Sequence, residues 1–170
     1  VALAITSVNL VPAGAATAYA AENATLTAGD YYIMNTATGR FLNGGNSWGT
    51  QASALEYGQF MTLSVVDAEN GIYNIDSHIS NGGNNHFVGA EGFIDGGATP
   101  LTIASCGNGS YTIANASGAY LTAPSGTDTT VVTYEAEKTD NSEWQILSRE
   151  ELIAQAVAKV RAEPNTPADI

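Results

Sequence analysis

One pentapeptide pattern, Gly-x-Tyr-x-Ile, occurs three times along the chain and restricts what it can fold into more than any other feature. The copies are Gly29-Asp30-Tyr31-Tyr32-Ile33, Gly71-Ile72-Tyr73-Asn74-Ile75 and Gly109-Ser110-Tyr111-Thr112-Ile113, starting 42 and then 38 residues apart. Tyr and Ile two positions apart face the same side of a strand, and the preceding Gly, twice as Asn-Gly, supplies a turn. A second short strand follows in each unit: Arg40-Phe41-Leu42, His86-Phe87-Val88 and Ala119-Tyr120-Leu121. Each unit closes on an alternating segment, Met61-Thr62-Leu63-Ser64-Val65, Leu101-Thr102-Ile103 and Trp144-Gln145-Ile146. Val131-Val132-Thr133-Tyr134 reads as a further strand of the third unit.

Three copies of about four short strands predict one all-β domain over residues 29–147. Units of about 40 residues repeated three times can close as a β-trefoil or as a three-bladed propeller; propellers need at least about four blades, so the trefoil is the expectation. Tyr31, Ile33, Tyr73, Ile75, Tyr111 and Ile113 then form a core around a pseudo-threefold axis, a structural role. With 44% hydrophobic and 13% charged residues the chain can build that core and is not intrinsically disordered.

The period changes after Leu147. Ser148-Arg149-Glu150-Glu151 fits a capping box, and Leu152, Ile153, Ala156, Val157 and Val160 recur at helical spacing, predicting an amphipathic helix over 148–162. Its apolar stripe has only the barrel or another domain to pack against. Residues 163–170, with Pro164-Asn165-Thr166-Pro167, read as a linker to a possible further domain. At the other end, residues 1–28 read as an apolar arm and linker. Val1 to Ala21 carries no charge and ends in Ala18-Tyr19-Ala20, which fits the apolar region and cleavage site of a signal peptide or, alternatively, an ordered N-terminal arm. Pro12 and Gly14 argue against membrane insertion there.

Five basic and 17 acidic residues give a formal charge of −12, which repels phosphate backbones and anionic headgroups and argues against nucleic acid as a partner. The single cysteine, Cys106, makes no internal disulfide and sits in a Ser-Cys-Gly-Asn-Gly turn with no basic sequence neighbour to activate it. Asp76 and His78 share a strand face but lack a third metal ligand. Glu135 and Glu137 also share a face, the arrangement a glycosidase pair would need, without a second supporting element. Gly44-Gly45 and Gly82-Gly83 lack the Lys and Ser/Thr of a phosphate cradle. The reading is a non-enzyme without cofactor or metal.

Two polar loops remain: Asn43-Gly44-Gly45-Asn46-Ser47-Trp48-Gly49-Thr50-Gln51 and Ser80-Asn81-Gly82-Gly83-Asn84-Asn85-His86. Sugars present a weakly polar C–H face that stacks on aromatics and hydroxyls that seek planar amides or carboxylates. Trp48 is either a plug on the barrel or an exposed stacking platform, and the Asn clusters either cap turns or bind ligand.

The three Gly-x-Tyr-x-Ile units and the closing Glu143-Trp144-Gln145-Ile146 resemble the ricin-B-like β-trefoil lectin superfamily over about 120 residues. The signature Gln-x-Trp of that family stands here as Ser142-Glu143-Trp144, and the aligned Trp positions hold Met61 and Leu101. The resemblance implies shallow sugar pockets: Asn43, Tyr57 and Gln59, with Asn46 and Trp48 nearby, in the first repeat, and Thr122, Tyr134 and Asn141 in the third. The second repeat, with Gly89 and Phe93 in those places, looks degenerate. With its capped helix and Pro-rich exit, the chain is also similar to N-terminal trefoil modules of secreted or surface proteins of gut bacteria. The resemblance implies a non-catalytic glycan- or polysaccharide-binding module of an exported bacterial protein, secreted, periplasmic or at the cell surface. Two alternatives stand beside it. One is a structural or protein-interaction spacer whose helix docks a following domain; the other is a protease inhibitor of the Kunitz type, also a trefoil.

Overall fold

A computed structural model describes residues 26–44, 50–80 and 82–163. Among these, ten strands precede one helix: β1 (Gly29–Asn35), β2 (Phe41–Asn43), β3 (Ser53–Leu55), β4 (Phe60–Asp67), β5 (Ile72–Asp76), β6 (Leu101–Ser105), β7 (Tyr111–Ala114), β8 (Tyr120–Thr122), β9 (Thr133–Glu135), β10 (Trp144–Leu147) and α1 (Arg149–Ala162). Six of them close on themselves. Antiparallel pairing runs β1–β4–β5–β6–β7–β10 and returns from β10 to β1, so this barrel has no free edge. The hairpins β2–β3 and β8–β9 lie over one end. They meet each other and the second repeat through backbone bonds such as Ala54 N to Thr130 O (2.7 Å), Val132 N to Ala52 O (2.9 Å) and Ala52 N to Gly92 O (2.8 Å). A six-stranded barrel capped by two hairpins and the bridged segment of the second repeat is the β-trefoil, here followed by a single C-terminal helix.

The repeats supply the core position by position. Ile33, Ile75 and Ile113 are fully buried, as are Leu42, Val88 and Leu121 from the second segment of each unit. Strand alternation turns Met61 and Leu63, Leu101 and Ile103, and Trp144 and Ile146 inward as well. Trp144 is the largest of these side chains, and its indole N–H donates to Leu121 O at 2.8 Å. Of the three tyrosines, Tyr73 is buried, while Tyr31 and Tyr111 pack against the core half-buried.

The second repeat departs from the pattern of the others. His86-Phe87-Val88 forms isolated bridges from Phe87 to Asp76 and Gly96 rather than a named strand. Its preceding segment is occupied by side chain–backbone bonding around Ser77, whose hydroxyl reaches Ile94 O at 2.5 Å. At Gly71 the backbone adopts φ +66°, and a Cβ there would stand 2.9 Å from Ile103 O. Since Ile103 N donates to Gly71 O, this glycine sits where β5 and β6 approach too closely for any side chain.

A polar clasp ties the 3-10 turn at Asp140–Ser142 to the hairpin between β6 and β7. Glu143 accepts from Lys138 Nζ (2.8 Å), Ser110 Oγ (2.8 Å) and Asn108 Nδ2 (3.2 Å), which in that order pull its pKa from 4.5 to about 2. A depressed carboxylate contributes stability above its unfolded pKa and loses it as pH falls through the folded value. The clasp is therefore complete above about pH 4.5 and should dissolve between there and pH 2. After allowance for solvent screening it is worth about 1–2 kcal/mol. Acid titration of unfolding free energy should show this slope in the parent and a flatter one in Glu143→Gln; superimposable curves would refute the assignment.

Helix α1 starts as its sequence predicts. Ser148 Oγ accepts from Glu151 N (3.2 Å) and the Glu151 carboxylate accepts from Ser148 N (2.8 Å), closing the capping box. The stripe behind it does not pack on the barrel. Leu152 is half-buried, whereas Ile153, Val157 and Val160 are exposed by 52%, 42% and 68%. The helix leaves the barrel after its first turn.

Candidate ligand-binding site

Hairpin β8–β9 and the 3-10 turn enclose an open cleft of about 760 Å³ in the third repeat. Thr122 and Asn141 lie at its base. Thr122 Oγ1 is buried between Tyr120 O (2.8 Å) and Ser142 Oγ (2.9 Å), and Asn141 Nδ2 donates to Ala123 O (3.1 Å). Hydroxyls of Thr133 and Thr139 and the carboxylates of Glu135 and Glu137 form the exposed rim, with Ala123, Pro124 and Ala136 contributing apolar surface. Thr133 Oγ1 donates to Glu135 Oε1 at 2.7 Å, aiming that carboxylate and leaving its second oxygen toward solvent. The cleft thus offers hydroxyl and carboxylate partners around a small apolar patch, at a site carrying negative charge.

Tyr134 takes no part in this cleft. The register sets Thr122 against Thr133 and Tyr120 against Glu135. Alternation then sends Thr133 and Glu135 to the cleft side and Tyr134 to the other. Its hydroxyl donates to Gly89 O at 3.0 Å, joining the third repeat to the second, and burial raises its pKa. The stacking role expected for Tyr134 is therefore replaced by a packing role.

In the first repeat the expected amides are turned inward. Asn43 is 6% exposed; its Nδ2 donates to Tyr57 O (3.1 Å) and its Oδ1 accepts from Gly44 N (2.7 Å). Gln59 accepts from the same Gly44 N (3.1 Å) and donates to Ser77 O (2.6 Å). Both amides organise the backbone where the first repeat meets the second. The space beside them is filled, since a Cβ on Gly44 would run into Ile79 Cδ1. Tyr57 is 56% exposed beyond this junction. Asn46 and Trp48 lie outside the described residues. Of the predicted set, Thr122 and Asn141 come together in one cleft, and Asn43 with Gln59 in a structural junction.

In the sequence Glu135 and Glu137 stand out only as a carboxylate pair, and Thr133 only as a strand residue. The parity of β9, read against Thr122, is the signal that would have found them. Lys138, 32 positions from Cys106 in the chain, is engaged by Glu143 at 2.8 Å. Asp76 and His78 approach to 3.7 Å, and among the described residues no cluster of three His, Cys, Asp or Glu side chains has the geometry to hold a metal.

Comparison with known proteins places this geometry in a fold. Neither a protein-family model nor a curated protein sequence matches the chain. Among solved structures it is similar to the lectin SeviL, determined bound to the asialo-GM1 saccharide, at 19% identity and a TM-score of 0.55, covering 72% of this chain and 99% of that one. It is similar to ThreeFoil, a designed threefold-symmetric protein, at 18% identity and TM-score 0.53, covering 70% and 98%. A salivary protein from Culex quiquefasciatus of the Cysteine and Tryptophan-Rich family matches at 24% identity and TM-score 0.55, covering 74% and 97%. Identities this low carry the fold alone, and on that ground the chain is a β-trefoil.

Proposed function

We propose that the chain is a non-catalytic carbohydrate-binding module of an exported bacterial protein, and that its working site is the third-repeat cleft. The observation that carries the reading is the exposed Thr133–Glu135 pair beside Asn141 and the apolar Pro124 face, in a concavity of saccharide size. A lectin among the structural neighbours supports it at the level of the fold. The acidic rim selects neutral glycans over sialylated, sulfated or uronic ones. Export is supported by the uncharged, apolar stretch from Val1 to Ala21.

A glycan array containing neutral and anionic members, the asialo-GM1 saccharide among them, tests the reading. Neutral glycans should bind, and Glu135→Ala, an exposed and fold-neutral change, should weaken them about tenfold or more, the value of one charge-assisted hydrogen bond. Binding that ignores Glu135→Ala, or silence across the array, would remove the proposal.

The uncovered stripe Ile153–Val157–Val160 favours a second reading, a protein-interaction trefoil whose helix docks another folded domain. Helices of this length are marginal without tertiary cover. Amides of α1 should exchange fast in this chain and become protected when the helix is docked; fast exchange in every context would sink this alternative.

A further inference from the structure

We infer a second saccharide site on the outer wall of the barrel, in a groove of about 520 Å³ between strands β1 and β4 and the first turn of α1. The register builds it in two rows. Tyr32 stands directly opposite Phe60, while Asp30 stands opposite Thr62, which in turn stands opposite Asp76. Because Met61 and Leu63 face the core, Phe60 and Thr62 face outward. The result is an aromatic row alongside a polar one.

Phe60 is 47% exposed, though a phenyl ring on a strand ordinarily packs against its sheet neighbours. It is nonetheless held in place. Tyr32 is its cross-strand partner, its own ring set edge-on to Phe41 at 6.4 Å, and the His78 ring lies 5.1 Å from the Phe60 ring. His78 is the only non-glycine among the described residues with positive φ, at 61°, and its Nε2 is 2.7 Å from Thr62 Oγ1. Thr62 donates to Asp30 Oδ1 at 2.5 Å, so it accepts from the His78 ring, and Asp30 Oδ2 has no partner among the described residues. Behind this chain, Asp76 accepts from His86 Nδ1 at 2.7 Å, so both histidines of the protein serve one network. Across the groove, the side chains of Arg149 and Glu150 make no hydrogen bond or ion pair among the described residues.

This combination matches a neutral sugar ring. The fixed face of Phe60 accepts the C–H face of a pyranose, Asp30 and Glu150 accept from hydroxyls, and Arg149 donates to hydroxyl oxygens. An apolar ligand would desolvate three charges without replacing their water. An anionic ligand would meet two carboxylates against one guanidinium, on a protein of charge −12. The site lies away from the hairpin cleft, shares no residue with it, and stands or falls independently of it.

Amide-detected NMR titration of the chain with glucose, galactose and N-acetylglucosamine tests the inference, with glucuronate and glucosamine as charge controls. At least one neutral sugar should cause saturable shifts at Tyr32, Phe60, Thr62 and Glu150. Phe60→Ala should weaken that binding about tenfold, as expected for a lost stacking surface, and Asp30→Asn should weaken it as well. Both side chains are exposed, so the melting temperature reports whether the fold is intact. Glu135→Ala should leave these shifts unchanged. Shifts confined to Thr133 and Glu135 would overturn the wall site and leave the cleft standing, whereas shifts confined to the wall would do the reverse. Wall shifts that survive Phe60→Ala, or a preference for glucuronate or glucosamine, would also overturn it.

Discussion

Trp144→Ala should be among the most damaging single changes in the domain, lowering its stability by about 3–5 kcal/mol and its melting temperature by about 10–15 °C. Trp144 is fully buried at the start of β10, the strand that closes the barrel. It pairs with Asn35 on one side and Tyr111 on the other, so a cavity there lies at the seam joining the last repeat to the first. The equivalent positions of the other repeats hold the smaller Met61 and Leu101, so the three repeats fill the core unequally. Loss of the indole also strands Leu121 O, which accepts from it at 2.8 Å on the adjoining hairpin. Trp144→Phe separates the two contributions. It keeps most of the volume while deleting the donor, and should cost about 1–2 kcal/mol. Thermal or denaturant unfolding measures both, and an alanine variant within about 1 kcal/mol of the parent would mean the seam repacks.

The barrel was legible because its signal is redundant. Ile33, Ile75 and Ile113 occupy one place in a period-two pattern repeated three times, and each copy corroborates the others. The helix start was legible because a capping box is a local interaction between residues three apart. The binding residues were not, for two physical reasons. An amide such as Asn43 or Gln59 bonds equally well to a sugar hydroxyl or to a nearby backbone N–H, and Gly44 N, brought within reach of both, decides the matter. Tyr134 was misplaced by parity, since the residue type suggests stacking while the register with Leu121 turns it toward Gly89. The outer-wall groove was hidden more deeply. Asp30, Thr62 and Asp76 become neighbours only through pairing of three strands whose register no single segment encodes.

Asn35→Ala is the second large effect, and it probes how the repeats are fastened rather than how they are filled. Asn35 is completely buried two residues beyond Ile33, and its amide is saturated. Nδ2 donates to Asn141 O (2.8 Å) and Glu143 O (3.2 Å), while Oδ1 accepts from Thr38 N (3.2 Å) and Thr38 Oγ1 (3.1 Å). The first pair crosses from the first repeat to the third, and the second pair shapes the turn into β2. Ser77 and Asn115 hold the same place after Ile75 and Ile113, with Asn115 Nδ2 reaching Ala90 O of the second repeat at 3.0 Å. Asn35 and Asn115 thus latch one repeat to another, whereas the Ser77 hydroxyl bonds to His86 O and Ile94 O within its own repeat, and of the three only Asn35 spans the seam between chain-distant ends. Deleting it should cost about 2–4 kcal/mol and about 5–15 °C in melting temperature, the cost of a buried network broken on one side. Asn115 is only half-buried, so Asn115→Ala should cost less. Asn35→Asp supplies the decisive control. Its carboxylate cannot donate to the two carbonyls, so it should be at least as damaging as alanine at neutral pH, and its deficit should shrink as pH falls and one donor is restored by protonation. A deficit in Asn35→Asp that does not respond to pH, or an alanine variant as stable as the parent, would show that the barrel closes on its hydrophobic contacts alone.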